Sequence, residues 1–298
     1  MFRKIIPALL APVLVLAAAC GDDESASGRS DLEVSDAAAV AALRAAPDAA
    51  ADAGSSRFEM VMVIDGPEGA FEITSTGAID GDRVAMKMDL GSGLAGLAEA
   101  EGEALPPGFD QPMEIVIDGA TAFLRMPMLD AITGTSGWLS ATGEELAAGG
   151  SAFGLTEGST DPSQIVELLR GTGDDLTEEG REDVRDVATT HYSVLVDLAA
   201  AYESIPAEQR AELEAQLDGF DIAAEQIPVD VWVDDEGLVR RFSFDLSELA
   251  GAVAGDASAI MTIEMFDYGA DIDIEVPALE DTTPLADVMG GLGMGALG

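Results

Sequence analysis

From Phe58 onward the chain alternates apolar and polar positions with a period of two. Phe58, Met60, Met62 and Ile64 are interleaved with Glu59, Val61, Val63 and Asp65. Phe71, Ile73, Gly77 and Ile79 follow in the same phase, then Val84, Met86, Met88 and Leu90. Met113–Ile117 and Ala120–Met126 continue the theme. Runs of this kind predict strands with one face buried. Three junctions read Ile-Asp-Gly (Ile64-Asp65-Gly66, Ile79-Asp80-Gly81 and Ile117-Asp118-Gly119), and a fourth reads Asp234-Asp235-Glu236-Gly237. Asp-Gly accepts the positive backbone angles of tight hairpin turns. Strands joined by such turns pair antiparallel.

Helical segments flank and interrupt these strands. Asp36–Ala51 is Ala-rich, with Ser35 or Asp36 as cap and a modest stripe at Val40 and Leu43. Residues 128–160 are rich in Gly, Ser and Thr around Trp138 and predict loop with short ordered pieces. Asp161-Pro162-Ser163-Gln164 opens a short helix through Ile165, Leu168 and Leu169, with Pro162 in the first-turn position that tolerates it. Glu182–Val187 and Thr189–Leu198 return to strand. Pro206–Leu217 predicts a helix that ends before Gly219. Val229, Val231 and Val233 lead through the acidic turn into Leu238–Leu246 as a hairpin. Ile260–Phe266 and Ile272–Val276 complete the strands, and the Gly-rich tail frays from Gly290. This order predicts an α+β fold: helices covering one side of a curved antiparallel sheet.

The N-terminus is of a different character. Arg3 and Lys4 precede an apolar run from Ile5 to Ala19, which is shorter than the roughly 20 residues a membrane-spanning helix needs. It has the dimensions of a signal-peptide core. The run ends in Leu16-Ala17-Ala18-Ala19-Cys20, which resembles a bacterial lipoprotein lipobox with Ala17 in place of the commoner Leu. The resemblance implies that residues 1–19 are removed and that Cys20 carries acyl lipid, palmitate among its chains. It implies a cell-membrane anchor facing the extracytoplasmic side. Residues 20–35, rich in Asp, Ser and Gly, predict a flexible tether. A single domain over 36–285 and a flexible tail over 286–298 complete the expected organisation.

Composition narrows the function classes. The 298 residues carry 57 Asp plus Glu against 14 Lys plus Arg, a net charge of −43. Nucleic acid is excluded as a partner, because phosphate binding needs a basic surface. Attraction to anionic headgroups is not expected, on the same ground. One cysteine forms no internal disulfide, so the apolar core must hold the fold. With 48% hydrophobic residues the chain is not an acidic disordered one.

Catalytic chemistry finds little support. The single histidine, His191, is out of phase with the apolar face of its strand, and no nucleophile pairs with it in the sequence. It predicts a surface or hydrogen-bonding role, and the chain is not expected to be an enzyme. One His and one Cys do not make a zinc site, and no Asp-x-Asp-x-Asp-Gly loop supplies calcium ligands. Gly91-Ser92-Gly93-Leu94-Ala95-Gly96, with Asp110 about twenty residues on, matches a dinucleotide fingerprint in letters. Its upstream strand alternates, however, and no βαβ unit follows. It predicts a mobile loop, with no cofactor.

What remains is apolar surface. The inward strand faces carry Phe58, Met60, Met62, Ile64, Phe71, Ile73, Met86, Met88, Met126, Val194, Val196, Phe242, Phe244, Met261 and Met265. Methionine builds adaptable apolar walls, and a curved sheet capped by helices offers a concave apolar site. These residues are the candidates for lining a cavity for acyl chains.

The later half adds a resemblance. Asp186-Val187-Ala188-Thr189-Thr190-His191-Tyr192 is followed by Val194-Leu195-Val196-Asp197-Leu198. Then come Ile227-Pro228-Val229-Asp230-Val231-Trp232-Val233-Asp234, Gly237-Leu238-Val239-Arg240-Arg241-Phe242, and Phe266-Asp267-Tyr268-Gly269 leading to Val276-Pro277. This succession resembles actinobacterial envelope lipoproteins of the LppX/LprAFG type, which share a LolA-like fold. The resemblance implies a half-open antiparallel barrel with helices on its concave side. It also implies a hydrophobic cavity carrying a lipid or lipoglycan, in a monomer with no identified protein partner. An envelope sensor or regulatory scaffold that binds another protein is the alternative, since LolA-like folds occur there too.

Overall fold

The computed structural model describes residues 37–66, 69–101, 104–105, 107–134, 136–142, 169, 172–197, 226–247 and 257–291. The leader, Cys20, the tether, the helix predicted over Pro206–Leu217 and all but Leu169 of the helix opened by Pro162 lie outside them. The described residues divide between two compact units: one within 53–162 and 265–298, the other within 15–52 and 163–264. The class is α+β, with open, mostly antiparallel sheets and few helices.

The first unit contains β1 (Ser55–Gly66), β2 (Gly69–Asp80), β3 (Arg83–Asp89), the helix α2 (Gly91–Glu101), β4 (Met113–Asp118) and β5 (Thr121–Arg125). A short helix α3 (Pro127–Thr133) and β6 (Trp138–Thr142) follow. The C-terminal segment returns with β12 (Thr282–Pro284) and α4 (Leu285–Gly291). The strands lie in the order β12-β6-β5-β4-β3-β2-β1. All neighbours are antiparallel except β12, which runs parallel to β6.

Turn chemistry sets the register, with one shift from expectation. Asp80 pairs with Arg83 and Asp118 with Thr121, so the two-residue turns are Gly81-Asp82 and Gly119-Ala120. Gly81 and Gly119 adopt φ of +60° and +58°, which glycine supplies at no steric cost in the first central position of a primed turn. Asp65-Gly66 is not the turn residue pair. It lies inside the β1–β2 ladder, with Asp65 opposite Ala70 and Gly66 opposite Gly69.

Two further expectations are corrected. The stretch from Gly91 is helix α2, not a loop. It packs beside β2 where β3 has already ended, and Gly93 sits so close to the Glu72 carbonyl that a Cβ would lie 2.4 Å from it. The glycines thus permit close backbone approach to a strand. Ile272–Val276 is not a strand. It crosses the outer face of the sheet without joining a ladder, burying Ile272 and Ile274 against Ala78, Val116 and Phe123 while Asp271, Asp273 and Glu275 face water. Alternation registers one-sided burial, which an extended strap achieves as well as a strand does. The segment expected as tail begins as α4, whose Leu285 and Val288 are buried.

The second unit contains most of α1 (Ala37–Ala53), with β7 (Thr172–Val184), β8 (Val187–Asp197), β9 (Gln226–Asp234), β10 (Val239–Asp245) and β11 (Ser258–Phe266) up to Glu264. Its strands follow the order β11-β10-β9-β8-β7, all antiparallel. α1 buries Ala39, Val40, Leu43 and Ala46 along one stripe, contains Pro47, and stops at Gly54 with φ +76°. The β7–β8 turn is Arg185-Asp186 rather than a strand through Val187, with both residues at positive φ (48° and 65°).

Candidate functional site

Register turns the alternation of the first unit into rows of side chains. One row runs Phe58, Gly77, Met86, Ile115, Leu124, Leu139 across β1 to β6. The next runs Met60, Ser75, Met88, Met113, and beyond it Met62 faces Ile73 and Ile64 faces Phe71. Directly opposed side chains on one face are the contacts that stabilise a sheet. Phe58, Met62, Met86 and Met126 are buried, whereas Met60, Ile64, Phe71, Ile73 and Met88 are half-buried. The face therefore grades from a closed end at Phe58 to a more open end at Ile64 and Phe71. Ser75 is the only hydroxyl in these rows, and sequence reasoning passed over it because a lone Ser in an apolar alternation reads as noise.

Phe58 is 1% exposed. Its ring occupies the space over Gly77, where an added Cβ would lie 2.4 Å from both the ring Cζ and the Ala85 carbonyl oxygen. The glycine makes the seat for the phenyl ring. Met113, Ile115, Leu124 and Leu139 were missing from the predicted set. In Ile115-Val116-Ile117, Val116 is buried beneath the strap on the opposite face, so the run lacks alternation and hides its inward positions.

The second unit builds an apolar face of its own. Val194 pairs with Val229, Val229 with Phe244 and Phe244 with Met261. Tyr192, Val231, Phe242 and Ile263 form the adjacent row. Val194, Phe242 and Phe244 are buried and Met261 is half-buried; Met265, also among the predicted residues, is buried and belongs to the first unit. Val196 holds the expected register position opposite Ile227, but its side chain lies outside the described set.

The other face of that sheet holds His191. One row across the strands reads Gly180, His191, Trp232, Arg241, Glu264. The His191 and Trp232 rings stack at 4.2 Å and 7°, and Arg241 lies over the indole at 5.1 Å. His191 Nε2 is 3.0 Å from Asp230 Oδ1, and Trp232 Nε1 donates to Glu182. Arg241 and Arg185 each donate to Glu264 at 2.6 Å. Burial works to raise the Glu264 pKa, but the hydrogen bonds and charges of Arg241 and Arg185 outweigh it and hold this carboxyl below its usual range. Nearby, Asp234 accepts from the Glu236 and Leu238 amides at 2.9 Å and from Arg240 at 2.6 Å. The first acid of the Asp234-Asp235-Glu236-Gly237 turn is therefore a structural cap. His191 does hydrogen-bonding and stacking work here. Among the described residues, no group of three or more His, Cys, Asp or Glu is placed to hold a metal ion. No described helix is long and apolar enough to cross a membrane.

No family model matches the chain. Among solved structures, it is similar to lipoprotein LppX of Mycobacterium tuberculosis (16% identity, TM-score 0.45, 80% of this chain and 100% of that one). It is also similar to LprF of Mycobacterium bovis (14% identity, TM-score 0.43, 81% and 97%). A LolA-superfamily protein of Nitrosomonas europaea is more distant (8% identity, TM-score 0.29, 82% and 96%). LppX and LprF are of the type that the strand motifs of the later half resemble. In sequence, the chain is 31% identical over 242 residues, 78% of its length, to a Streptomyces griseus protein, matching 70% of that protein. The chain belongs to the family of that Streptomyces griseus protein, the uncharacterized 31.2 kDa protein in the rplA-rplJ intergenic region.

Proposed function

We propose that this protein is a non-enzymatic envelope lipoprotein that binds an acyl chain of a lipid or lipoglycan on an apolar sheet face. In this reading it is held at the extracytoplasmic side of the cell membrane by acyl lipid on Cys20. The observation that carries the proposal is the methionine-rich face of the first unit. Met60 and Met62 on β1, Met86 and Met88 on β3 and Met113 on β4 stand in register across four neighbouring strands, β2 lying between β1 and β3, with half-buried side chains at one end. Such a surface adapts to a flexible hydrocarbon chain without a charged contact. The acidic composition keeps the remainder soluble. Each CH₂ buried by the anchor contributes about 0.8 kcal/mol, so two or more chains on Cys20 give stable attachment.

The test has two arms. Metabolic labelling with palmitate is expected to mark the wild-type protein and not Cys20→Ala, which should leave the membrane fraction. Native mass spectrometry and lipid extraction of the soluble form are expected to recover a bound lipid. If no lipid is recovered and added lipids do not bind, the carrier reading falls. A stable protein partner retained after Met60→Trp and Met88→Trp would point to the scaffold reading instead.

A further inference from the structure

Ser75 is 1% exposed, and among the described residues its Oγ has no hydrogen-bond partner. A buried hydroxyl without a partner loses its water and gains nothing in return. Few such groups survive in native interiors, and each calls for a reason. The backbone around Ser75 offers none. β2 is paired on both sides at this point, with β1 through Met60 and with β3 through Met88, so the nearby amides and carbonyls are engaged in the ladders. Alanine would fill the same position at no desolvation cost.

The setting describes what the hydroxyl would meet. Ser75 is short, and its neighbours across the sheet, Met60 and Met88, are long and half-buried. On its own strand the same face offers half-buried Ile73 on one side. On the other is Gly77, whose space is filled by the Phe58 ring. The hydroxyl thus lies in register between two long, flexible thioether side chains. No charged side chain stands at these positions, so an ionic headgroup would be stranded there. A neutral oxygen acceptor attached to hydrocarbon suits it.

We propose that Ser75 is the polar anchor of the apolar face, donating its O–H to the ester carbonyl of an acyl chain lying between Met60 and Met88. This rests on the lipid reading and deepens it: the guest is an ester-linked acyl lipid, oriented with its linkage at β2.

The test compares the intact wild-type chain with Ser75→Ala, using a diacylglycerol and the dialkyl ether of the same chain length, each offered in phosphatidylcholine vesicles. Ether oxygens are poorer acceptors than ester carbonyls. Wild type is expected to prefer the ester by about fivefold, the worth of one neutral hydrogen bond. Ser75→Ala should lose that preference while keeping its affinity for the ether. The lipid-free variant should unfold at the same temperature as wild type or higher, because an orphan hydroxyl has been removed. Equal ester preference in both proteins, or a less stable lipid-free variant, would overturn the assignment while leaving lipid binding intact. Uptake of neither lipid by wild type would remove the lipid reading itself, and this one with it.

Discussion

Replacing Gly77 with alanine tests the packing of the first unit at its tightest point. Local propensity alone favours the change: glycine within a strand is less stable than alanine by about 0.5–1 kcal/mol. The structure predicts the opposite sign. The new Cβ would sit 2.4 Å from the Ala85 carbonyl oxygen and 2.4 Å from Cζ of Phe58, among the largest fully buried side chains. The carbonyl belongs to the paired β3 backbone and yields only if the ladder opens. The ring yields only by leaving its seat. Overpacking of this kind costs about 1–3 kcal/mol, so Gly77→Ala should destabilise by about 1 kcal/mol net of the propensity gain. Phe58→Leu alone removes the ring tip and should cost about 1–2 kcal/mol. Combined, the two should cost at least about 1 kcal/mol less than their sum, since the shortened side chain vacates the space the Cβ needs. The measurement is urea unfolding followed by the fluorescence of Trp138 in a Trp232→Phe background, with unchanged slope in every variant. A Gly77→Ala protein as stable as its parent, or strictly additive effects, would refute the account.

Three further outcomes follow from the second unit. Asp234→Ala leaves the Arg240 guanidinium, 13% exposed, without this carboxylate and two turn amides without their acceptor. It should lower stability by about 3 kcal/mol in an unfolding titration read by Trp232 fluorescence. Asp186 holds φ +65° in an exposed turn, so Asp186→Gly should be neutral or stabilising by up to about 1 kcal/mol, and Asp186→Val destabilising by about 1–2 kcal/mol in the same assay. Glu264 has a folded-state pKa below its unfolded value of 4.5. Its contribution to stability is therefore fully present above that value and is lost as pH falls through the lowered folded pKa. A pH series of unfolding midpoints should show this loss, and Glu264→Gln should flatten it.

The fold class, the inward residues of β1 to β3 and of β8 to β10, and the hydrogen-bonding place of His191 were legible because each depends on period-two patterning within one strand. Three things escaped that signal. Alternation is blind to pairing, so Ile272 and Ile274, buried by a strap outside the ladder, carry the same signature as a strand. Turn residues are degenerate, so Arg185-Asp186 makes a left-handed turn with no glycine, supported by Arg185 bonding Glu264 79 residues away. Glycine spacing is ambiguous as well: Gly91 and Gly93 serve close approach of a helix to Phe109 and Glu72, a need that no local pattern announces.

The strap explains why one part of the first sheet defeats binary patterning. Over β1 and most of β2 the outer face carries Arg57, Glu59, Glu72 and Thr74, so the two faces differ and the strands read cleanly. At Ala78, Val116 and Phe123 the outer face is covered by Ile272 and Ile274, so both sides of the sheet are dry there and the sequence runs apolar through Ile115-Val116-Ile117 and Ala122-Phe123-Leu124. Strands buried on both faces lose alternation for this reason. The cover is fixed to β1 by the Gly269 amide on the Ser55 carbonyl at 2.9 Å and by Ser55 Oγ donating to the Ala270 carbonyl at 2.7 Å. It is also held where Thr282 Oγ1 meets Ser140 Oγ at 2.8 Å beside the β12–β6 pairing. The middle of the sheet is thus clamped from the outside by a segment held through contacts 142 and 215 residues apart in sequence. In the proposed lipid reading, an inner face that flexes around a guest needs such a rigid back, because methionine side chains can rearrange without loss of the strands only if the strands themselves are held.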